Sequence, residues 1–371
     1  MTVLAGGRVV TPDGVLDPGW LRVRDGVIVE VGAGVPPTAA SRDLGGAWVL
    51  PGFVDLHVHG GGGHDAAASA ADLAGAVRFH RAHGTTSTLV SLVTAPLDEL
   101  IEQLGRVADL AARSPRVLGS HLEGPFLAAA RCGAQHPEHL LAPDVETFHR
   151  LHAAARGTLR TITVAPELPG SVALIQAARA AGVTVALGHS DASYAQAMTA
   201  IAAGAAAATH LFNAMPPLHH REPGLVGACL DAGLACEIIN DGRHIHPALL
   251  RLVAAAGARQ LMLVTDAIDA AGMPDGATTL GGQAVDVEHG VARLRRDGSL
   301  AGSTLTMDAA VRRAVVEVGL PVTVVAAAAA STPMRLLGQQ HRAGRIAPGQ
   351  AADLVLLDDD FRLQQVLLAD E

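Results

Sequence analysis

The sequence predicts an α/β protein: a (β/α)8 TIM-like barrel with a small β-sandwich domain built from both termini. Three observations predict it. Eight short β-type runs recur through the middle of the chain, alanine-rich stretches of helical spacing separate them, and the two ends read instead as short strands joined by tight turns.

The runs are GFVDLHV (52–58), STLVSLV (87–93), RVLGSHL (116–122), RTITVAP (160–166), VTVALGH (183–189), AAAATHL (205–211), ACEIIND (235–241) and LMLVTDA (261–267). Strands that read as near-continuous apolar runs are buried on both faces, as in a parallel sheet covered by helices. The intervening SVALIQAARAAG (171–182) and YAQAMTAIAAG (194–204) have helical spacing, and each closes on a glycine suited to a helix C-terminus. Eight such alternations close into a barrel. At the ends, RVVTPDGVLDPGWLRVRDGVIVEVG (8–32) and GRIAPGQAADLVLLDDDF (344–361) read as short strands, the first joined by DG turns. The expected division is therefore 1–50 with 340–371 as the β domain and 51–339 as the barrel.

Composition excludes several classes. Aromatic residues are 2% and the net charge is −9, so there is neither a base-stacking platform nor a basic footprint for nucleic acid. The N-terminus MTVLAGGRVVTPDG lacks a signal-peptide pattern, which predicts a cytoplasmic protein. The most apolar window, 314–330, contains Glu317 and Pro321 and reads as a core helix with its preceding turn, not a membrane span. Three cysteines without a CxxC pair suit reduced thiols. All 27 basic residues are arginine, and the missing lysine rules out Schiff-base catalysis, a P-loop lysine and a carbamylated-lysine metal bridge.

In a barrel the chemistry sits where strands end at the carboxyl face. Strand one ends with His57 and His59, strand three with Glu123, strand five with His189, strand six with His210 and strand eight with Asp266. Residues two apart on a strand share a face, so His57 and His59 both aim inward. Imidazole and carboxylate together hold divalent zinc. An isolated HxH reads better as a surface strand; matching chemistry at four other strand ends decides for metal. The glycines of GGGGHD (60–65) then form a tight first βα loop that brings backbone close to the metal rim. In GHSDAS (188–193), Ser190 or Asp191 caps the next helix while His189 points into the mouth. Asp266 in TDA reads as a general acid and base, or alternatively as a second-metal ligand.

PGFVDLHVHG, HLEGPF, GHS, THLFNAM, REPG, DGRHIHP, TDA and AGST occur in that order. In this the chain resembles the N-acetylglucosamine-6-phosphate deacetylases of the amidohydrolase superfamily. The resemblance implies a main metal on Glu123, His189 and His210 and a second on His57 and His59, hence one or two divalent ions per subunit, zinc first, with iron, manganese or cobalt as alternatives. It implies Asp266 as the catalytic acid and base, and Ala134, Asn213, Ala214, Arg221, His244, Ala301 and Gly302 as substrate contacts. The implied partners are a small amino-sugar phosphate and a second copy in a homodimer, with no nucleic acid or membrane. One motif departs: Gln135 in CGAQHP stands where the family commonly has histidine, which leaves a carbonyl-polarising histidine unmatched. The nearest alternative reaction is deacetylation of N-acetylgalactosamine 6-phosphate. A catalytically silent barrel is disfavoured because no rim residue is missing.

Overall fold

The computed structural model describes residues 1–370. Eight parallel strands form one continuous sheet: β1 (Phe53–Asp55), β2 (Thr85–Val93), β3 (Val117–Glu123), β4 (Leu159–Val164), β5 (Thr184–Leu187), β6 (Ala207–Ala208), β7 (Ala235–Ile239) and β8 (Leu261–Val264). Each pairs with its sequence neighbour, so the spatial order is the chain order. The first and last strands meet through a parallel bridge between Val58 and Ala267 and through Asp266 N–H donating to the His57 carbonyl at 2.8 Å. Below that bridge the fully buried Asp55 accepts the Thr265 hydroxyl at 2.6 Å. Burial raises the Asp55 pKa to about 7, against the pull of the Thr265 and His57 donors.

Helices follow where the spacing predicts them. Ser171–Ala180 and Tyr194–Ala203 end at Gly182 and Gly204, both with positive φ. The cap of the second differs from expectation: Ser193 accepts from Gln196 N–H, and the Gln196 side chain closes a capping box. Ser190 and Asp191 are engaged elsewhere, with Glu167 and Arg131. The apolar window at 314–330 holds the end of one helix, a break at 318–321 and a second helix that starts at Val322, with Ala328, Ala329 and Ala330 buried. Among the described residues no helix is long and apolar enough to cross a membrane.

The four glycines do something other than approach the rim. Gly60–Gly61 pairs with His64–Asp65, and N–H groups of Gly60, Gly62 and Gly63 donate to the carbonyls of Ala267, Ala271 and Asp269. A Cβ on Gly60 would lie 2.7 Å from Asp269 N, so the run lets the first loop seal the barrel seam against the segment after β8.

The termini form a separate domain. Strands Thr2–Thr11, Gly14–Arg24, Val27–Ala33, Arg42–Asp43, Trp48–Pro51, Leu354–Leu357 and Leu363–Leu367 share one sheet around a core that includes Leu4, Val9, Leu21, Ile28, Val49, Leu354 and Leu356. Leu354–Leu357 runs antiparallel to Trp48–Pro51, which joins the two ends of the chain just before β1 begins. The sequence reading assigns no element to a further three-stranded antiparallel sheet after β8, made of Gly276–Leu280, Gln283–Glu288 and Val291–Leu294. It packs Val285, Val287 and Leu294 with Val93 and Ile268.

Candidate metal centre and substrate cavity

Residues at the ends of β1, β3, β5, β6 and β8 converge. Glu123 Oε1 lies 3.0 Å from His189 Nε2 and 2.9 Å from His210 Nε2, which are themselves 3.0 Å apart. On the other side Glu123 Oε2 is 3.3 Å from His59 Nε2, and His57 and His59 bring their Nε2 atoms to 3.1 Å. Asp266 Oδ1 stands 3.4 Å from His57 Nε2 and 3.2 Å from His59 Nε2. All six residues are buried. Two groups among them, His57–His59–Glu123 and Glu123–His189–His210, bring their ligand atoms close enough to share an ion.

Three of the six sit in strained backbone. His189, His210 and Asp266 have φ of 47°, 27° and 51°, a left-handed conformation that turns each side chain inward just past its strand. Such positions cost about 1–3 kcal/mol each and persist where surrounding structure holds them.

The donor set fits a divalent cation. His59 Nδ1 is 3.2 Å from the Ser91 carbonyl and His189 Nδ1 is 2.9 Å from the Arg131 carbonyl. A carbonyl only accepts, so each Nδ1 carries the proton and each neutral ring turns a lone pair inward from Nε2. His57 donates its Nδ1–H to Glu237 Oε2 at 2.9 Å, which leaves its Nε2 in the same state. Three nitrogen lone pairs thus confront the carboxylates of Glu123 and Asp266 in a buried space, a repulsion that only added protons or a cation relieves. Without a cation the acids draw protons: although burial opposes it, Asp266 and Glu123 raise His59 to about 9, and they and Glu237 hold His57 well above its ordinary value. Burial would raise Glu123 and Asp266, but the facing imidazoles hold both below the usual carboxylate range.

The rim opens into a cavity of about 430 Å³. Ala134, Asn213, Ala214, His244 and Gly302 line it together with His59, Glu123, His189, His210 and Asp266. His244 donates Nδ1–H to Asp241 at 2.7 Å, which fixes the ring and lowers the Asp241 pKa against burial. Two expected contacts fall outside this lining. Ala301 is fully buried behind it, and Arg221 is solvent-exposed beside His220. Residues that the sequence reading leaves out include Glu237, the partner of His57, and Arg131, which lines the cavity and pairs with Asp191 at 2.7 Å. Leu280, Ser299 and Leu300, in and after the inserted sheet, line it too. Glu237 had a faint signal as the one acid inside the apolar run ACEII.

A parallel barrel whose carboxyl rim gathers four buried imidazoles and two carboxylates is a metal-binding enzyme scaffold. The chain belongs to the amidohydrolase family, whose sequence model matches residues 48–370, and within it to the N-acetylglucosamine-6-phosphate deacetylases. It is 39% identical over 369 residues to N-acetylgalactosamine-6-phosphate deacetylase of Escherichia coli O157:H7, covering 98% of this chain and 97% of that one. It is 39% identical over 346 residues to N-acetylglucosamine-6-phosphate deacetylase of Bos taurus, covering 89% and 84%. A mutant N-acetyl-D-glucosamine-6-phosphate deacetylase of Mycobacterium smegmatis, solved with N-acetyl-D-glucosamine 6-phosphate, superposes with a TM-score of 0.96 at 42% identity, covering 100% of this chain and 98% of that one.

Proposed function

We propose that this chain hydrolyses N-acetylglucosamine 6-phosphate to glucosamine 6-phosphate and acetate. One observation carries the reading: Glu123, His189 and His210 meet at about 3 Å on the floor of a cavity walled by Asn213, Ala214 and His244. Relatives that share most of the chain's length carry the matching name.

Glu123, His189 and His210 would hold one divalent ion, zinc in the first instance, and His57 and His59 with Glu123 a second. Such an ion supplies Lewis acidity, making water a nucleophile near neutral pH and polarising the acetamide carbonyl. Asp266 takes a proton from the attacking water as the new C–O bond forms. It returns that proton to the sugar nitrogen as the C–N bond breaks, because an amide nitrogen leaves poorly unless protonated. Asp266 Oδ1 lies 3.4 Å from His57 Nε2 and 3.2 Å from His59 Nε2, beside the groups that would hold the second ion. Asn213 and His244 orient the sugar phosphate.

Arg131 brings one guanidinium to the cavity lining, where it pairs with Asp191. Arg221 offers a fork of donors but is solvent-exposed and outside that lining, so in this reading a homodimer brings the partner copy's guanidinium to the phosphate. A cytoplasmic location suits a phosphorylated substrate. Because the Escherichia coli relative is named for the galactosamine epimer, the deciding assay is acetate release from both 6-phosphates, with and without added divalent metal. A kcat/KM higher for N-acetylglucosamine 6-phosphate, and metal-dependent, is expected; a preference for the other epimer would reassign the substrate.

A further inference from the structure

Gln135 is 2% exposed, and both ends of its carboxamide are engaged. The Thr94 backbone N–H donates to Gln135 Oε1 at 2.7 Å, and Gln135 Nε2 donates to Glu123 Oε2 at 2.7 Å. A backbone N–H can only donate, so the amide has one possible orientation, with its nitrogen toward the carboxylate. The turn beneath it is pinned from two sides. Gln135 N–H donates to the Cys132 carbonyl at 2.9 Å, and the Gln283 and Arg296 side chains donate to the carbonyls of Ala134 and Gly133. A donor anchored at the end of β2 thus holds the carboxylate at the end of β3.

The two oxygens of Glu123 are made unequal by this contact. Oε1 faces His189 and His210 at 3.0 and 2.9 Å, with His57 Nε2 farther off at 3.5 Å and no amide donor on it. Oε2 faces His59 at 3.3 Å and shares a lone pair with Gln135. The last torsion of a glutamate is broad, so an unheld carboxylate would have to be ordered when a cation binds. An oxygen already accepting an N–H also offers less electron density to a cation than its unshared twin.

From this geometry we propose that Gln135 is a positioning residue: it aims Glu123 Oε1 at His189 and His210, and so makes that cation position the tighter of the two and the first to fill. The inference rests on the divalent-cation reading of the rim and is independent of which sugar phosphate is the substrate. It gives the departure from the family's histidine a physical role.

The test titrates chelator-treated, metal-free protein with cobalt(II), following d–d absorption and bound stoichiometry by equilibrium dialysis, for the natural chain, Gln135→Leu and Gln135→His. The natural chain is expected to bind in two steps. Its first equivalent should survive His59→Ala and be lost in His210→Ala. Gln135→Leu should loosen the first equivalent about 10–100-fold, the usual size for losing a group that orients a metal ligand, while leaving the second unchanged or tighter, so that the steps merge. Gln135→His, which keeps one donor and one acceptor, should restore separate steps. Stepwise affinities in Gln135→Leu equal to those of the natural chain would overturn the proposal. So would equal weakening of both steps with a lowered melting temperature of the metal-free protein, since that is a scaffold effect. If Gln135→Leu does not fold, Gln135→Met replaces it under the same criteria. Absence of cobalt binding by the natural chain would instead remove the cation reading before any variant is compared.

Discussion

The rim of the barrel and the terminal sheet are built on opposite principles. The sheet alternates apolar and polar residues and hides Leu21, Ile28 and Val49 completely, so its contacts add to stability. The rim buries His57, His59, Glu123 and Asp266 against one another and keeps three residues in left-handed backbone. Groups arranged that way oppose folding and are retained for their chemistry. Substitutions at the rim should therefore remove activity with little loss of stability, and substitutions in the sheet should do the reverse.

The largest effect is expected for Glu123→Ala, because both ligand groups share that carboxylate. Cation-derived transition-state stabilisation is worth several kcal/mol, which corresponds to a loss in kcat/KM of about 10³-fold or more. Metal content should fall in parallel, while the urea midpoint of the metal-free protein falls by less than a core truncation lowers it. A metal-free midpoint lowered by as much as a core truncation lowers it would erase the contrast between the two regions.

Asp266→Asn comes next. Its expected loss is ~10²–10⁴-fold in kcat, the range for a general acid and base, with metal content and substrate affinity kept. Near-normal turnover would show that another group moves the proton. In the sheet, Leu21→Ala should cost ~2–5 kcal/mol of unfolding free energy by denaturant titration, as a fully buried leucine does. At temperatures where the variant is folded its kcat/KM should be unchanged; a drop would mean that the sheet helps to set the rim.

The sequence makes part of this division visible. His57, His59, Glu123, His189, His210 and Asp266 each close or follow an apolar run, and in a parallel barrel that position alone predicts that they meet. What it hides depends on contacts between distant segments. Glu237 matters through His57, 180 residues away, and the orientation of Gln135 is set by one backbone N–H at Thr94. The left-handed turns at His189, His210 and Asp266 are not marked in the sequence, since histidine and aspartate adopt that conformation more often than most residues yet still only in a minority of positions. The sheet at 276–294 was legible in outline, with alternating residues around Gly281–Gly282, yet eight barrel strands already account for the fold without it.

The smallest expected effect lies at the barrel seam, where the first loop leaves the rim. His80 is 1% exposed, donates Nε2–H to the Gly60 carbonyl at 2.8 Å, and so fastens the first loop to the helix Ala70–Ala82. Burial lowers its pKa from 6.5 to about 4, partly opposed by the Gly60 carbonyl. The folded ring is therefore neutral at pH values where the unfolded ring already takes a proton. Stability from this residue is complete above pH 6.5 and is lost as pH falls toward 4. With about 1.4 kcal/mol per pH unit, the loss is about 1.4 kcal/mol at pH 5.5 and approaches about 3 kcal/mol near pH 4. His80→Gln keeps an N–H for the Gly60 carbonyl and cannot be protonated. Urea midpoints of both proteins, measured in chelator from pH 7.5 to 4.5, share every rim contribution, so the difference in their slopes isolates His80. The variant should have the shallower slope; parallel slopes would mean that the folded protein accommodates the charged ring and that the seam is no drier than the surface.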